Sequence, residues 1–203
     1  MNTLLASTST GPARSAFPAT VGSISASLIT AGVLLVPSAA FAQGQRPALD
    51  VVKEFLENTA PDKVGAAAKR LVAPDATYVS LNFDNPELKK IEPWAGTSKG
   101  PDGFSNTFSR VAKYWKIEDF KVTDMFGSGE SVAVFGTFTY RSVAVGIRFS
   151  SPFSILAKVR NGQIHYFQFM EDTYASAASF RQSGSWIVKT DPDAPAFEVG
   201  KGK

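Results

Sequence analysis

Between Ile117 and Asp172 polarity alternates with a period of two through successive segments, "IEDFKVTDMF", "ESVAVFGTFTYRS", "IRFSSPFSILAKVR" and "QIHYFQFMED". Alternation sends neighbouring side chains to opposite faces, so each segment reads as a half-buried strand. The breaks between them form turns: Gly127 to Gly129, "VAVG", and Asn161-Gly162, a pair suited to a tight hairpin because both residues tolerate positive φ. Strands joined by such short turns run antiparallel in sequence order. This meander limits the chain to folds built on one large antiparallel sheet. Within the second segment Val132, Val134, Phe138 and Tyr140 share a face, while Thr137, Thr139 and Arg141 share the other. The segments exceed the usual length of about six residues, so they must bend, and Gly136 and Pro152 are the expected places.

Upstream, the apolar period is helical. Asp50 is placed to cap a helix through "VVKEFLENT", with Val52, Phe55 and Leu56 on one face. A second helix restarts after Pro61 and Asp62 and runs through "KVGAAAKRLV" until Pro74, with Val64, Ala68, Leu71 and Val72 inward. "DATYVSLNF" follows as a strand, and a loop through "PWAGTSKGPDGF" leads to a third helix. There Phe104, Phe108, Val111 and Trp115 fall at i, i+4, i+7 and i+11, a stripe that packs into the core. After the meander, Asp172 is an N-cap for a short helix through "TYASAASF". Helices first and strands afterwards predict an α+β fold, a curved antiparallel sheet wrapped around N-terminal helices into a cone. Such a cone encloses a mostly apolar cavity, the expected binding site.

The ends differ from this core. Residues 1–42 hold no acid, a single base at Arg14, an apolar run from Ile24 to Val36, and then "PSAAFAQ". That is the pattern of a secretory signal peptide cleaved after Ala42, since a membrane span needs roughly 20 apolar residues. The expected divisions are a signal peptide over 1–42, one domain over 43–188, and a flexible tail over 189–203 rich in proline, glycine and charge. The mature chain is expected to be secreted or periplasmic and free of the membrane. With no cysteine it forms no disulfide in that compartment.

Composition excludes several chemistries. Of 21 basic residues Arg14 leaves with the leader, so the remaining bases scatter among 18 acids without a block, and no nucleic-acid footprint results. One histidine and no cysteine leave no ordinary zinc site, and the chain has no GxxxxGK[ST] phosphate loop, GxGxxG fingerprint or GxSxG elbow. No metal or cofactor is expected.

The order of elements, with "VVKEFL", "APDATYVS", "PWAGTSKGPDGF", "RNGQIHYFQF" and "EDTYASAASFR", resembles the nuclear transport factor 2-like superfamily, in its SnoaL-like branch, over roughly Asp50 to Arg181. The resemblance implies a cone-shaped fold shared by ketosteroid isomerases, limonene epoxide hydrolases and polyketide cyclases, and it leaves the activity open. Matched to the isomerase pattern, the oxyanion tyrosine falls at Phe55, the proton-abstracting aspartate at Ser80 and the second acid near Ser154. Phe55 donates nothing and a serine is too weak a base, so that activity is not expected. Matched to the epoxide hydrolase pattern, the tyrosine is kept at Tyr78, the asparagine becomes Ser80, and the charged positions fall near Gly136, Phe138 and Phe169. Arg141 and Glu171 are the substitutes within reach of a register slip.

The resemblance places Tyr78, Ser80, Trp94, Phe108, Phe138, Tyr140, Ser154, Phe167 and Phe169 inward, as aromatic walls with a few hydroxyls that suit a small hydrophobic ligand. Catalytic candidates are Tyr78 and His165, the only imidazole. With regular alternation His165, Phe167, Phe169 and Glu171 share a face. His165 and Glu171 are then about 20 Å apart along the strand and cannot act together. Near the hairpin turn His165 reads as a rim or surface residue, and a catalytic role would need a partner acid from a neighbouring strand, Asp124 or Glu118. Three readings follow: a binder of a small hydrophobic molecule; an isomerase, cyclase or dehydratase using Tyr78, Tyr140 or His165; and a pairing module that forms a homodimer through the outer face of its sheet.

Overall fold

Helix α1 (Ala48–Leu56) turns Val52 and Phe55 inward, fully buried as the helical spacing predicts, and buries Val51 beside them, while Leu56 is only half-buried. It begins after Pro47 rather than at Asp50, which instead stands in the first turn, where its charge suits the helix dipole. These features come from a computed structural model that describes residues 46–200; the expected signal peptide over 1–42, with its cleavage after Ala42, lies outside the described residues. Helix α2 (Val64–Leu71) passes directly into β1 (Val72–Ser80), so Pro74 lies in a strand and not at a helix end. It falls in the irregular stretch between Val72 and Thr77 where pairing with the neighbouring strand shifts, so its missing N–H removes little from the ladder.

Two elements just after β1 escape the sequence reading. Helix α3 (Pro86–Ile91) buries none of its residues, so it has no apolar stripe to detect; Asn85 caps it, accepting from the Leu88 N–H at 3.0 Å. Strand β2 (Gly96–Lys99) is too short for alternation to register. Helix α4 (Gly100–Tyr114) carries the expected stripe up to Val111, but Trp115 is already extended, at φ −121 and ψ 137. It opens β3 (Trp115–Ser128) and remains fully buried.

The meander continues as β4 (Ser131–Ser142), β5 (Arg148–Arg160) and β6 (Gln163–Glu171). Asn161 and Gly162 turn the β5–β6 hairpin at φ 52 and φ 76. The sheet order is β2-β1-β6-β5-β4-β3, antiparallel except for the β1–β6 pair, which runs parallel. Curvature comes from irregularities in β3, between Ile117 and Asp119 and between Val122 and Asp124, and between Lys158 and Val159 against β6. Pro152 keeps regular pairing with Thr137 and is no bend. Gly136 serves a close approach: a Cβ there would overlap the Lys121 carbonyl and lie 2.5 Å from the Phe153 ring.

Aromatic rings fill the narrow part of the cone. Phe55 meets Phe104, Phe108 and Phe167 edge to face, with centroids 5.6 to 5.9 Å apart. Trp115 stacks on Phe180 at 5.3 Å and donates its indole N–H to the Ser179 hydroxyl at 2.9 Å. Helix α5 (Thr173–Ala178) is capped by Asp172, which accepts from the Ala175 N–H at 3.0 Å. Part of the segment expected to be an unstructured tail is ordered, since β7 (Trp186–Val188) pairs with β8 (Phe197–Val199).

Candidate functional site

The wide part of the cone holds a cavity of about 250 Å³. Its walls come from the C-terminal end of α1 and the following turn, the end of β1, the loop that carries Trp94, one face of α4, the start of β3, the last part of β4 and the end of β6. Six residues expected inward line it: Tyr78, Ser80, Trp94, Phe108, Tyr140 and Phe169. Three do not. Phe167 is fully buried beneath the cavity, against Phe55 and Tyr78. Phe138 packs sideways on Tyr140 and Phe149. Ser154 points to the outer face, because its neighbours Phe153 and Ile155 take the inward positions.

His165 lies outside the cavity lining as well. Ile164 and Phe167 are both buried, which regular alternation forbids, and the pairing slips between Lys158 and Val159 opposite them. The irregularity places the imidazole, half-buried, beside Asp75, with Nδ1 3.6 Å from a carboxylate oxygen. The acid beside it is therefore Asp75 and neither Asp124 nor Glu118. Glu118 is engaged elsewhere, with Arg141 at 2.7 Å and Arg148 at 2.8 Å, and these guanidinium groups hold its carboxyl below the usual range.

The chemistry of the cavity rests with Glu171, which sequence matching retained only as a substitute. It ends β6 on the same face as Phe167 and Phe169, and its Oε1 is buried without a hydrogen-bond partner among the described residues. Burial pushes its carboxyl up from 4.5 to about 8; Glu92 and Asp172 add to the rise, and the neighbouring Ser176 hydroxyl opposes it. At neutral pH Glu171 is therefore mostly protonated. Tyr78 and Tyr140 face the same space. Burial raises both phenols above their ordinary value, and Glu171 adds to each shift, so both remain neutral donors at any ordinary pH. The Ser80 hydroxyl lies beside Tyr78 and opposes its shift.

One neutral acid and two neutral phenols thus face an apolar chamber. The set can donate hydrogen bonds to a ligand oxygen, and Glu171 can transfer a proton. Among the described residues no cluster of three or more histidine, cysteine or acidic side chains could hold a metal. Leu81 also faces the cavity, from a left-handed backbone at φ 64 that turns the chain out of β1. That conformation costs about 1 kcal/mol, and the Leu81 N–H bonded to the Phe169 carbonyl at 2.9 Å helps to hold it. No period in the sequence announces Leu81, and Ile117 and Phe120, which line the mouth, read only as strand residues.

The family model of the SnoaL-like domain matches residues 52–167. The chain is 44% identical over 131 residues to "Patulin synthesis protein F" of Aspergillus clavatus, a match covering 63% of this chain and 66% of that protein. It is 42% identical over 134 residues to "Patulin biosynthesis cluster protein F" of Penicillium expansum, covering 64% and 67%. The match thus spans about two thirds of the length of either relative. An NTF2-like protein from Burkholderia thailandensis E264 superposes with a TM-score of 0.57 at 20% identity, over 67% of this chain and 98% of its own, a likeness of fold alone. Over the elements that build the cone, from α1 through most of β6, the chain belongs to the SnoaL-like domain family.

Proposed function

We propose that this domain binds a small, largely apolar, uncharged carbonyl compound in the cone and moves a proton on it, as an isomerase, cyclase or dehydratase does. The observation that carries the reading is Glu171, the one carboxyl on the cavity wall, pushed up to about 8 by burial. An acid with a pKa near the working pH both gives and takes a proton readily. Glu171 itself would donate to the ligand oxygen, and Tyr78 and Tyr140 on the same wall would stabilise the charge that develops there. A cavity of about 150 Å³ takes benzene, so one of about 250 Å³ suits a one- or two-ring molecule. A ligand carboxylate would face Glu171 without a cation on the wall, which disfavours anions. The relatives' names tie them to patulin synthesis, which supports small-molecule biosynthesis as the setting.

The direct test is solvent deuterium exchange into small cyclic ketones, followed by NMR, with wild type and Glu171→Gln. The amide keeps the shape and cannot transfer a proton, so exchange should fall by a factor on the order of 10² or more while ligand affinity changes little. Exchange that survives in Glu171→Gln would sink the catalytic reading and leave that of a binder of small hydrophobic molecules.

Export belongs to the proposal, with a mature chain that begins at Gln43 and is secreted or periplasmic; mass spectrometry of the protein from its own host should show that start. A homodimer is also proposed. Phe126 and Phe135 stack at 5.9 Å on the outer face of the sheet and stay exposed, as do Leu156 and Met170. A second copy is the occupant proposed for this patch, and a single monomeric species by sedimentation at high concentration would count against it.

A further inference from the structure

Glu92 is fully buried, and neither of its carboxyl oxygens has a hydrogen-bond partner among the described residues. Its backbone is fixed just beyond α3, where its N–H donates to the Leu88 carbonyl at 2.7 Å and its carbonyl accepts from the Ala95 N–H at 2.9 Å. α3 buries nothing, so no apolar helix face carries Glu92 inward. Packing alone gives no reason for an acid here: a methionine or leucine would fill the volume without the several kcal/mol that an unpaired buried carboxylate costs. Glu92 does not line the cavity, so it does not act on a ligand there.

Its charge is felt by Glu171, the acid of the cavity wall. The fully buried hydroxyl of Ser176, on α5, lies beside both carboxyls, and each carboxyl keeps at least one oxygen without a partner among the described residues. The other groups acting on Glu171 are Asp172 from the start of α5, Tyr78 from β1 and Tyr140 from β4, and none of them is a cation. Two acids therefore meet around one hydroxyl, one open to the cavity and one sealed behind it.

We propose that Glu92 is a positioning residue for Glu171: the two carboxyls and Ser176 form a buried pair that admits only one negative charge, which keeps the cavity-facing acid supplied with a proton. This rests on Glu171 being the working group of the cavity. Burial raises Glu92 as well, to about 7, so the two titrate as a coupled unit. Glu92, the lower of the two, ionises first, and its charge then resists ionisation of Glu171, so the proton stays on the cavity-facing acid.

The test is NMR titration of carboxyl-labelled glutamates in wild type, Glu92→Gln and Glu171→Gln. In Glu92→Gln the midpoint of Glu171 should fall by about one pH unit, tenfold in proton affinity, and the limb of any pH–rate profile governed by Glu171 should move with it. An unmoved midpoint in folded Glu92→Gln would overturn the proposal. Should Glu92→Gln fail to fold, the wild-type curves decide, because coupled groups titrate in steps shared between them: the Glu171 carboxyl must respond to the ionisation of Glu92 as well as to its own, and a single-step Glu171 curve overturns the pair. Coupled midpoints together with proton exchange that survives in Glu171→Gln would support the pair and remove the catalytic assignment of the cavity.

Discussion

Raising the pH from about 5 to about 8.5 should destabilise this domain, because the folded chain holds protons that the unfolded chain has already released. Burial lifts Glu171 to about 8 and Glu92 to about 7, against 4.5 for an ordinary glutamate. A group whose folded pKa exceeds its unfolded value contributes fully below the unfolded value and loses that contribution as pH rises through the folded one. The window therefore runs from about 4.5 to about 8. At about 1.4 kcal/mol per pH unit, Glu92 stands to lose about 3 kcal/mol and Glu171 about 5 kcal/mol. The two share one repulsion and do not add in full, so the expected loss is roughly 5 to 8 kcal/mol, a large part of the stability of a domain this size. Glu54 and Glu118, held low by arginine partners, act in the opposite sense: their contributions are present above the unfolded pKa and fade only as pH falls towards their folded values. Urea unfolding midpoints across the window, measured for wild type and the Glu92→Gln/Glu171→Gln double variant, isolate the pair. A flat profile in wild type, or the same fall in the double variant, would refute the reasoning.

Three further changes test the packing. Phe55→Ala removes the ring shared by Phe104, Phe108 and Phe167 and should cost about 3 to 5 kcal/mol in urea unfolding; a loss under about 1 kcal/mol would show that the aromatic cluster relaxes around the gap. Gly136→Ala puts a methyl group onto the Lys121 carbonyl and the Phe153 ring, so it should destabilise by about 1 to 3 kcal/mol, and an unchanged melting temperature would mean that β3 and β4 are less closely apposed. Ala112→Phe, from the α4 wall, should fill much of the cavity and weaken binding of a cyclic ketone at least about tenfold with the fold intact, whereas undiminished binding would place the ligand elsewhere.

The sheet was legible because alternation and Gly-containing turns are local. "RNGQIHYFQF" specifies the hairpin turn and the strand that follows it. The parallel β1–β6 contact was not legible, since nothing within Val72–Ser80 names its partner. The cavity walls were read where aromatic residues stand at strand or helix spacing, as at Tyr78, Phe108 and Tyr140. Period two alone sets His165 on the face of Phe167; the irregularity in pairing beside it takes the imidazole off that face, as its rim position by the turn suggests, and leaves Phe169 and Glu171 on the cavity wall. Ser154 was set near the cavity by matching the family pattern, although its own strand alternates it outward. Glu92 carries no local signal, since it stands just beyond α3, which buries none of its residues, and yet is itself fully buried.

Whether the cone serves a catalyst or a carrier turns on what Glu171 contributes to affinity. In a carrier of apolar molecules, a protonated carboxyl with a free oxygen only weakens the wall, and replacing it with a similar apolar side chain should tighten binding. In an enzyme for carbonyl compounds, the same carboxyl is an anchor whose loss is felt only by ligands that carry an oxygen. Tetralin and α-tetralone separate the two cases, since they differ at a single ring position and both match the size of the chamber. Wild type should bind the ketone more tightly by about 1 kcal/mol, the net worth of one buried hydrogen bond. Glu171→Met should erase that preference while leaving tetralin unchanged or bound more tightly. Calorimetric titration of both ligands into both proteins reads the difference directly. A ketone preference that survives in Glu171→Met would move the oxygen-binding role to Tyr78 or Tyr140 and leave the buried acid without a part in recognition.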